Sequence, residues 1–277
     1  LVVDKQTSAP MYFRTLPGNI IDVSTLQNTI EELKEYGVKE TYVYCDAGFF
    51  SEENVLDMYK NNINFLTRLP ATRTIYKELI LKEVPGLESA EYAVRYGKRG
   101  LLVKKKEIDL FGRKVFAYIV QDPKRKGREM NRLLVQNVDE KDKNKEVLGY
   151  EMLRRGVMIL VSSFDIPRSD IVPTYYVRQT VEMLFGFSKD DLGLLPLRVH
   201  NEQRMQGFLL LQFITLIAFG RMRNKLGTEY TVEEALISLR NLKAKVYESG
   251  LVIGELTKEQ KEITKKLGVI VSKNLGI

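Results

Sequence analysis

Residues 175–189 read YYVRQTVEMLFGFSK and hold Tyr175, Arg178, Glu182 and Lys189 at the spacing Tyr-x2-Arg-x3-Glu-x6-Lys. An α-helix turns about 100° per residue, so one helix through this stretch would place all four side chains on a single polar stripe. A carboxylate on that stripe can hold a divalent metal ion, and the arginine, lysine and phenol can hold phosphate groups. The stretch therefore predicts a helix on which positively and negatively charged side chains lie together on one side.

The same stretch also fits an amphipathic surface helix with ordinary charge pairs four residues apart. A packing face on the neighbouring stripe is expected in either case, formed by Val177, Val181, Leu184 and Phe185. Gly186 is expected to weaken the helix before Lys189. Spacing alone does not decide between a functional stripe and a solvated one.

Three sequence blocks decide between them, because together they resemble bacterial insertion-sequence transposases of the DDE superfamily, in the subgroup with a Tyr-Arg-Glu-Lys signature. The blocks are LPGNIID at 16–22, YVYCDAGFFS at 42–51, and the signature itself with the LPLRVH at 195–200 and GFLL at 207–210 that follow it. They occur in the family's order and cover residues 1 to about 225. Ala47, where the family usually has arginine or another polar residue, is a minor departure.

The resemblance implies which residues carry the chemistry. Asp46 matches the second of three metal-binding carboxylates and Glu182 the third, with Mg²⁺ or Mn²⁺ as the cofactor. Tyr175, Arg178 and Lys189 are then expected to contact the phosphates of the transposon end. The implied reaction is strand cleavage to a 3′-hydroxyl, which then attacks target DNA. The implied partner is double-stranded DNA, both as transposon end and as target. A homodimer in the DNA complex is one alternative, and the sequence leaves the oligomeric state open.

The first catalytic aspartate has no match in this sequence. Asp4 corresponds to the turn after a later strand and Asp22 to a helix start, so neither is assigned. The chain begins at Leu1 rather than methionine, and we expect it to be a fragment that lacks the first core strand. Such a fragment is expected not to cleave DNA by itself.

The net charge of +7 is concentrated in one internal segment. Residues 71–170 hold 22 lysines and arginines against 15 acidic residues, and the rest of the chain is balanced. The excess predicts contact with the phosphate backbone of DNA, although interleaved acidic residues also fit a solvated surface. The basic clusters lie at 98–99, 104–106 and 124–128.

Several features exclude other classes of protein. A single cysteine, Cys45, excludes an intrachain disulfide and fits a reducing cytoplasm, and a single histidine, His200, argues against a histidine-based metal site or triad. There is no signal peptide. The longest apolar run, 208–219, is shorter than a membrane span and predicts a buried core helix. The sequence thus predicts a cytoplasmic protein.

Alternating strand and helix patterns predict an α/β fold with a ribonuclease-H-like core, as the resemblance implies. Asp46 falls at the carboxyl end of a strand, where ligands gather in such sheets. We expect the core to comprise 1–70 and 151–225, with a basic α+β subdomain inserted at 71–150. A helical tail is expected over 226–277, with helices at 232–248 and 258–267.

Local patterns predict individual elements. Strands are expected at 41–45, 64–69 and 157–162, and a hairpin around 109–112. Asp22 or Ser24 can cap the first helix, which Gly37 is expected to end, and Ser51 can cap the second. A further helix is expected over 128–145.

Two functions from different classes stay open. One is a DDE transposase whose sequence here lacks its N-terminal part, and the other is a non-catalytic DNA-binding relic of a truncated gene. The nucleotide sequence upstream distinguishes them, since an in-frame strand with an aspartate favours the first. A ribonuclease-H-like nuclease without transposition is a third alternative, which the signature disfavours.

Overall fold

The computed structural model describes residues 1–16, 25–38, 42–137, 145–192, 199, 201–247, 250–272 and 274–275. They form two compact units, which we call the sheet unit (Thr15–Arg178) and the helical unit (Leu1–Arg14 with Gln179–Ile277). Most of the LPGNIID and LPLRVH blocks, and His200, lie outside the described residues. The same holds for Asp22 and for the predicted cap of the first helix.

The sheet unit is built on one six-stranded sheet. Its elements, in chain order, are α1 (Leu26–Glu35), β3 (Tyr42–Cys45), α2 (Glu52–Lys60), β4 (Asn64–Arg68), α3 (Thr74–Glu83), β5 (Ala93–Tyr96), β6 (Arg99–Leu110), β7 (Arg113–Gln121), α4 (Pro123–Asn137), α5 (Lys145–Leu153), β8 (Val157–Ser162) and α6 (Ile171–Tyr176). The strand order is β3-β4-β8-β7-β6-β5. Only β3 and β4 run parallel; the other pairings are antiparallel.

Both faces of this sheet are covered by a hydrophobic core, and alternate residues of its strands belong to the two different cores. In β8, Val157, Ile159 and Val161 belong to one core, whereas Met158 and Leu160 belong to the other. Alternate side chains of a strand point to opposite faces, so a run of six buried residues indicates packing on both sides. The mixed α/β architecture is compatible with the ribonuclease-H-like core predicted from the sequence.

Local signals in the first part of the sheet unit were predicted correctly. Ser51 caps α2 by accepting a hydrogen bond from the Asn54 amide at 3.0 Å, and Gly37 ends α1 with a φ of 81°. The predicted hairpin around 109–112 is β6–β7. Its turn is closed by Phe111 and Gly112, both at positive φ. Strands β3, β4 and β8 also agree with prediction within a residue.

The segment 71–150 differs from the sequence expectation in two respects. The predicted helix over 128–145 is confirmed in part: α4 begins earlier, at Pro123, and includes 128–137, whereas 138–144 lie outside the described residues. Asp122 supplies the start signal, because its carboxylate accepts the amide hydrogen of Arg125 at 3.0 Å. Moreover, β7 pairs with β8, so the strands of the predicted insertion extend the same sheet as β3 and β4. The domain boundaries stay a prediction.

The helical unit contains β1 (Val2–Val3), β2 (Pro10–Tyr12), α7 (Gln179–Gly186), α8 (Glu202–Leu226), α9 (Val232–Arg240), β9 (Ala244–Tyr247), β10 (Gly250–Ile253), α10 (Lys258–Leu267) and β11 (Asn274–Leu275). Its core joins α8, α9 and α10 around Leu226, Ala235 and Ile263. The backbone oxygen of Ser8 packs next to α8, at an ordinary van der Waals distance of 3.5 Å from where a Cβ of Gly220 would lie.

Helix α8 is less buried than the sequence predicts. Leu210, Leu211 and Ile214 are each at least half exposed, so the prediction of a buried core helix is wrong. The apolar side chains of α8 are distributed all around the helix axis, so the periodicity of the sequence does not reveal which side packs against the protein. Among the described residues it is the one helix long and apolar enough to cross a membrane by length and composition, with 17% of its apolar stretch buried.

The predicted helical tail also needs correction. Helix α9 ends at Arg240, and a three-stranded antiparallel sheet of β9, β10 and β11 accompanies the helices. The alternation of Lys243 and Lys245 with the apolar Ala244 and Val246 fits a strand better than a helix. Only α10 has the predicted bounds; a capping box between Thr257 and Gln260 starts it and Gly268 ends it.

Candidate functional site

Asp46 follows β3 directly, and its carboxylate is half exposed (51%) at the carboxyl end of the strand. The side chain caps the short 3-10 turn Ala47–Phe49 by accepting the Ala47 amide hydrogen at 2.7 Å. The hydroxyl of Thr67 on the parallel strand β4 donates to the main-chain oxygen of Asp46 at 3.4 Å. Asp46 therefore has a fixed backbone and a carboxylate that solutes can reach.

Tyr175 lies under this carboxylate and donates a hydrogen bond to it. Tyr175 belongs to α6, its ring is buried in the core, and its hydroxyl is 3.3 Å from Oδ1 of Asp46. Burial raises the pKa of Tyr175 to about 12, with Asp46 adding to the rise while Arg178 and Arg68 oppose it. The phenol thus stays protonated at neutral pH and acts as a donor.

Arg178 reaches the other carboxylate oxygen. Its Nη1 lies 3.4 Å from Oδ2 of Asp46, and its guanidinium carbon lies 4.9 Å from the centre of the Tyr175 ring. The arginine side chain is mostly buried, whereas that of Asp46 is half exposed. Tyr175 and Arg178 therefore hold Asp46 from the protein side and leave its solvent side open. We call these three residues the Asp46 clamp.

The helix that carries the signature is interrupted, which corrects the single-helix prediction. Helix α6 begins at Ile171 and ends at Tyr176, and the amides of Val177 and Arg178 bond to carbonyls three residues back, each at 3.4 Å. A tighter turn of this kind ends the regular four-residue ladder. Pro173 causes no break, since it stands in the first turn, where its missing amide hydrogen is not needed. The four signature residues thus do not belong to one continuous α-helix.

Glu182 and Lys189 belong to the helical unit, whereas the Asp46 clamp belongs to the sheet unit. Glu182 is exposed in the first turn of α7. Lys189 is exposed in the π-helical segment Phe187–Asp191 that follows Gly186, with its ammonium 5.9 Å from the Phe185 ring. The predicted weakening of the helix at Gly186 agrees with this change of winding. A common site for Asp46 and Glu182 stays a prediction.

Arg68 is a further cation near the clamp that the sequence analysis missed. It is the last residue of β4, and its charge lowers the pKa of Tyr175. Because β3 and β4 are parallel, residues at their carboxyl ends share one edge of the sheet. The sequence contained a signal for this arrangement, because Arg68 is the last residue of β4 and Asp46 directly follows β3.

The described residues fit a divalent metal only in part. Asp46 offers the hard oxygen donors that Mg²⁺ and Mn²⁺ prefer. Both of its oxygens already face donors, and Arg178 adds a positive charge beside them. No group of three histidine, cysteine, aspartate or glutamate side chains with metal-binding geometry occurs among the described residues. Asp46 is therefore one candidate ligand rather than a complete metal centre.

A comparison with protein families identifies the chain. The family model of the transposase DDE domain matches residues 1–218, a span that includes all three residues of the Asp46 clamp and both Glu182 and Lys189. The chain belongs to this family. No curated protein matches it.

Membership in the DDE transposase family fixes the general class of activity. Such enzymes are polynucleotidyl transferases that bind DNA and generally use divalent metal ions. The match confirms the resemblance to a DDE transposase that the sequence blocks indicate, and members are normally soluble cytoplasmic proteins. The Tyr-Arg-Glu-Lys subgroup and the roles of individual residues stay predictions.

Proposed function

We propose that this transposase chain supplies the second and third carboxylates, Asp46 and Glu182, of a site that cuts and joins double-stranded DNA. The observation that carries the proposal is the Asp46 clamp. Two residues of the signature, Tyr175 and Arg178, meet a carboxylate that precedes them by more than 120 positions, and they fix it while leaving it accessible. In a solvated surface helix these side chains would face water, whereas Tyr175 is buried against Asp46.

The surroundings of Asp46 suit the binding of a phosphodiester. Arg178 provides positive charge beside the carboxylate and Arg68 provides it near Tyr175. Arg178 also presents a planar donor group that matches phosphate geometry. Lys189 is proposed to contact the transposon-end phosphates from the helical unit. Tyr175 is proposed to orient Asp46, because its buried hydroxyl donates to that carboxylate. Its expected contact with a phosphate stays a prediction.

The proposed reaction has two transfers at phosphorus. In the first, the oxygen of a water molecule attacks a phosphodiester, the bond from phosphorus to the 3′-oxygen breaks, and a 3′-hydroxyl is released with a proton. In the second, that 3′-hydroxyl attacks a phosphodiester of target DNA and displaces another 3′-oxygen. Mg²⁺ or Mn²⁺ is the proposed cofactor, and subunits are proposed to pair on the DNA.

We further propose that the chain alone does not cleave. Two divalent ions carry four positive charges, whereas Asp46 and Glu182 together supply two negative charges, and Arg178 lies beside Asp46. No third carboxylate completes a ligand group among the described residues. A second ion would therefore bind weakly.

A nicking assay tests the proposed function. The substrate is supercoiled plasmid carrying the DNA that borders the gene, incubated with Mg²⁺ or Mn²⁺. The chain alone should leave it intact, whereas the product of the extended reading frame should nick it, and Asp46→Asn or Glu182→Gln in that longer product should abolish nicking. Nicking that persists in both variants would contradict the roles of these carboxylates. Metal-dependent nicking by the chain alone would refute its inactivity.

The second candidate is the non-catalytic DNA-binding relic. The incomplete ligand group among the described residues favours it. An upstream reading frame interrupted by stop codons, together with DNA binding that does not change in Asp46→Asn, would support the relic.

A further inference from the structure

The three lysines at 104–106, one of the predicted DNA-binding clusters, are paired with acidic residues of the protein. Lys104 lies 2.8 Å and Lys106 3.8 Å from the buried carboxylate of Glu83, and Lys105 lies 2.7 Å from Asp165. Only 16% of the Lys104 side chain is exposed. Most of this cluster therefore neutralises protein carboxylates and has little charge left for DNA.

Helix α4 separates its cations into two groups. Arg125 pairs with Glu129, and Lys126 pairs with Glu88. Lys124, Arg128 and Arg132 are exposed, and within the described part of the chain no acidic side chain is paired with them. Two cations of α4 are therefore paired, and three lack an acidic partner among the described residues.

The three remaining cations follow one line on the helix surface. Taking Lys124 as the origin, Arg128 lies near 40° and Arg132 near 80°, while the buried Leu133 lies near 180°, since each residue turns about 100°. They extend over about 12 Å at a rise of 1.5 Å per residue. The exposed Asn131 lies at the edge of the same face. This stripe points away from the packed side of α4.

The stripe opposes the stability of the helix that carries it. Lys124–Arg128 and Arg128–Arg132 are like-charge pairs four residues apart, which repel each other. Lys124 also stands in the first turn, where the positive end of the helix dipole disfavours a cation, and that turn contains no acidic residue. An extended polyanion lying along the stripe would relieve all these repulsions together.

We propose that the outward face of α4 binds the phosphate backbone of double-stranded DNA through Lys124, Arg128 and Arg132. The inference rests on the proposed function, because a DNA transposase provides the polyanion, and it adds a site outside the Asp46 clamp. Arginine and lysine side chains in a line contact phosphates without reading bases, so binding at this face is independent of sequence.

The test is the salt dependence of binding to a short random-sequence duplex, measured by fluorescence anisotropy with the full chain in EDTA. Each phosphate contact contributes about 0.9 to the slope of log K against log salt, so the triple variant K124Q/R128Q/R132Q should lower the slope by about 2.7. A matched triple variant at exposed lysines elsewhere, K60Q/K82Q/K261Q, should keep the wild-type slope.

Each outcome decides a different question. A wild-type slope in a folded triple variant, checked by circular dichroism, would overturn the site. An equal loss in both triple variants would also overturn it, since the effect would then follow net charge. If the triple variant does not fold, R128Q alone should lower the slope by about 0.9. Nicking is measured separately with metal, so failure of the α4 site leaves the proposed cleavage site standing. Wild-type protein without any salt-dependent DNA binding would instead count against the proposed function.

Discussion

The phenolic oxygen of Tyr175 lies 3.3 Å from a carboxylate oxygen of Asp46, although the two residues are 129 positions apart in the chain. The tyrosine is buried and the aspartate is half exposed, so a rigid part of the core holds a carboxylate that faces solvent. Arg178 contacts the second carboxylate oxygen and stacks on the tyrosine. The packing of Tyr175 thus fixes the positions of Asp46 and Arg178. The carboxylate and the guanidinium are groups suited to binding a metal ion and a phosphate.

Alkaline pH should destabilise the protein in part through Tyr175. Burial raises the pKa of Tyr175 from 10.0 to about 12, and does the same for Tyr59 and Tyr118. A raised pKa in the folded state means that the stabilising contribution is complete below pH 10 and is lost as the pH rises towards 12. We therefore expect the free energy of unfolding to fall between about pH 10 and 12, and to fall less steeply in Tyr175→Phe.

Urea titrations at several pH values would measure this dependence. Tyr42→Phe, at a ring that is 47% exposed, is the matched control and should follow the wild type. An identical alkaline decline in wild type and Tyr175→Phe would show that the ionisation of Tyr175 does not contribute to it.

Glu83 should be needed for stability, because it is buried between two lysines. Its carboxylate lies 2.8 Å from Lys104, whose side chain is also largely buried, and 3.8 Å from Lys106. Glu83→Gln would leave Lys104 without its counter-charge, and we expect a loss of about 3 kcal/mol in the free energy of unfolding. The exposed pair of Glu107 and Lys114 offers a control, since Glu107→Gln should change little. Chemical denaturation gives both values, and equal small effects would mean that Glu83 is not effectively buried.

Replacing Gln121 by an apolar residue should not lower the stability of the protein. It is fully buried at the end of β7, and neither its amide nitrogen nor its amide oxygen has a hydrogen-bond partner among the described residues. Leaving buried polar atoms unpaired is unfavourable, so Gln121→Met is expected to be neutral or to stabilise by about 1 kcal/mol. Buried Gln260 is the contrasting case, because its amide donates to the Ser238 carbonyl at 2.8 Å and also accepts from Thr257.

Thermal and urea denaturation of the two glutamine variants would test the difference. Gln260→Met should destabilise by about 1–3 kcal/mol, since it leaves two backbone groups without partners. A loss of similar size in Gln121→Met would show that the Gln121 amide is hydrogen-bonded in solution.

Local patterns predicted what depends on short stretches of chain. The apolar run 157–162 predicted the buried strand β8, Ser51 predicted the start of α2, and the sequence around Asp46 predicted its place after β3. The family resemblance selected Tyr175 and Arg178. Such features are set within a few residues, where propensity and capping dominate.

Features set by distant contacts were not predictable in this way. The pairing of Lys105 with Asp165 joins residues 60 positions apart, so charge clusters in the sequence overstated the charge available to DNA. Helix α6 packs on the sheet and ends at Tyr176. The periodicity of the sequence alone predicted that the helix continues beyond this residue. The strand at 244–247, which pairs with 250–253, was likewise assigned to a helix.

The central claim is that Asp46 and Glu182 serve one site, and a distance between them in solution tests it most directly. In a Cys45→Ala background, Asp46→Cys and Glu182→Cys introduce thiols that short and long bifunctional thiol reagents can join. Carboxylates that share paired metal ions lie roughly 4–8 Å apart, so the shortest reagents should cross-link the double variant efficiently. A second double variant, Asp46→Cys with Glu259→Cys, controls for nonspecific joining. Cross-linking of the Asp46–Glu182 pair by short reagents, at a rate well above the control, is the result we predict. Cross-linking by long reagents alone, at the control rate, would contradict the account.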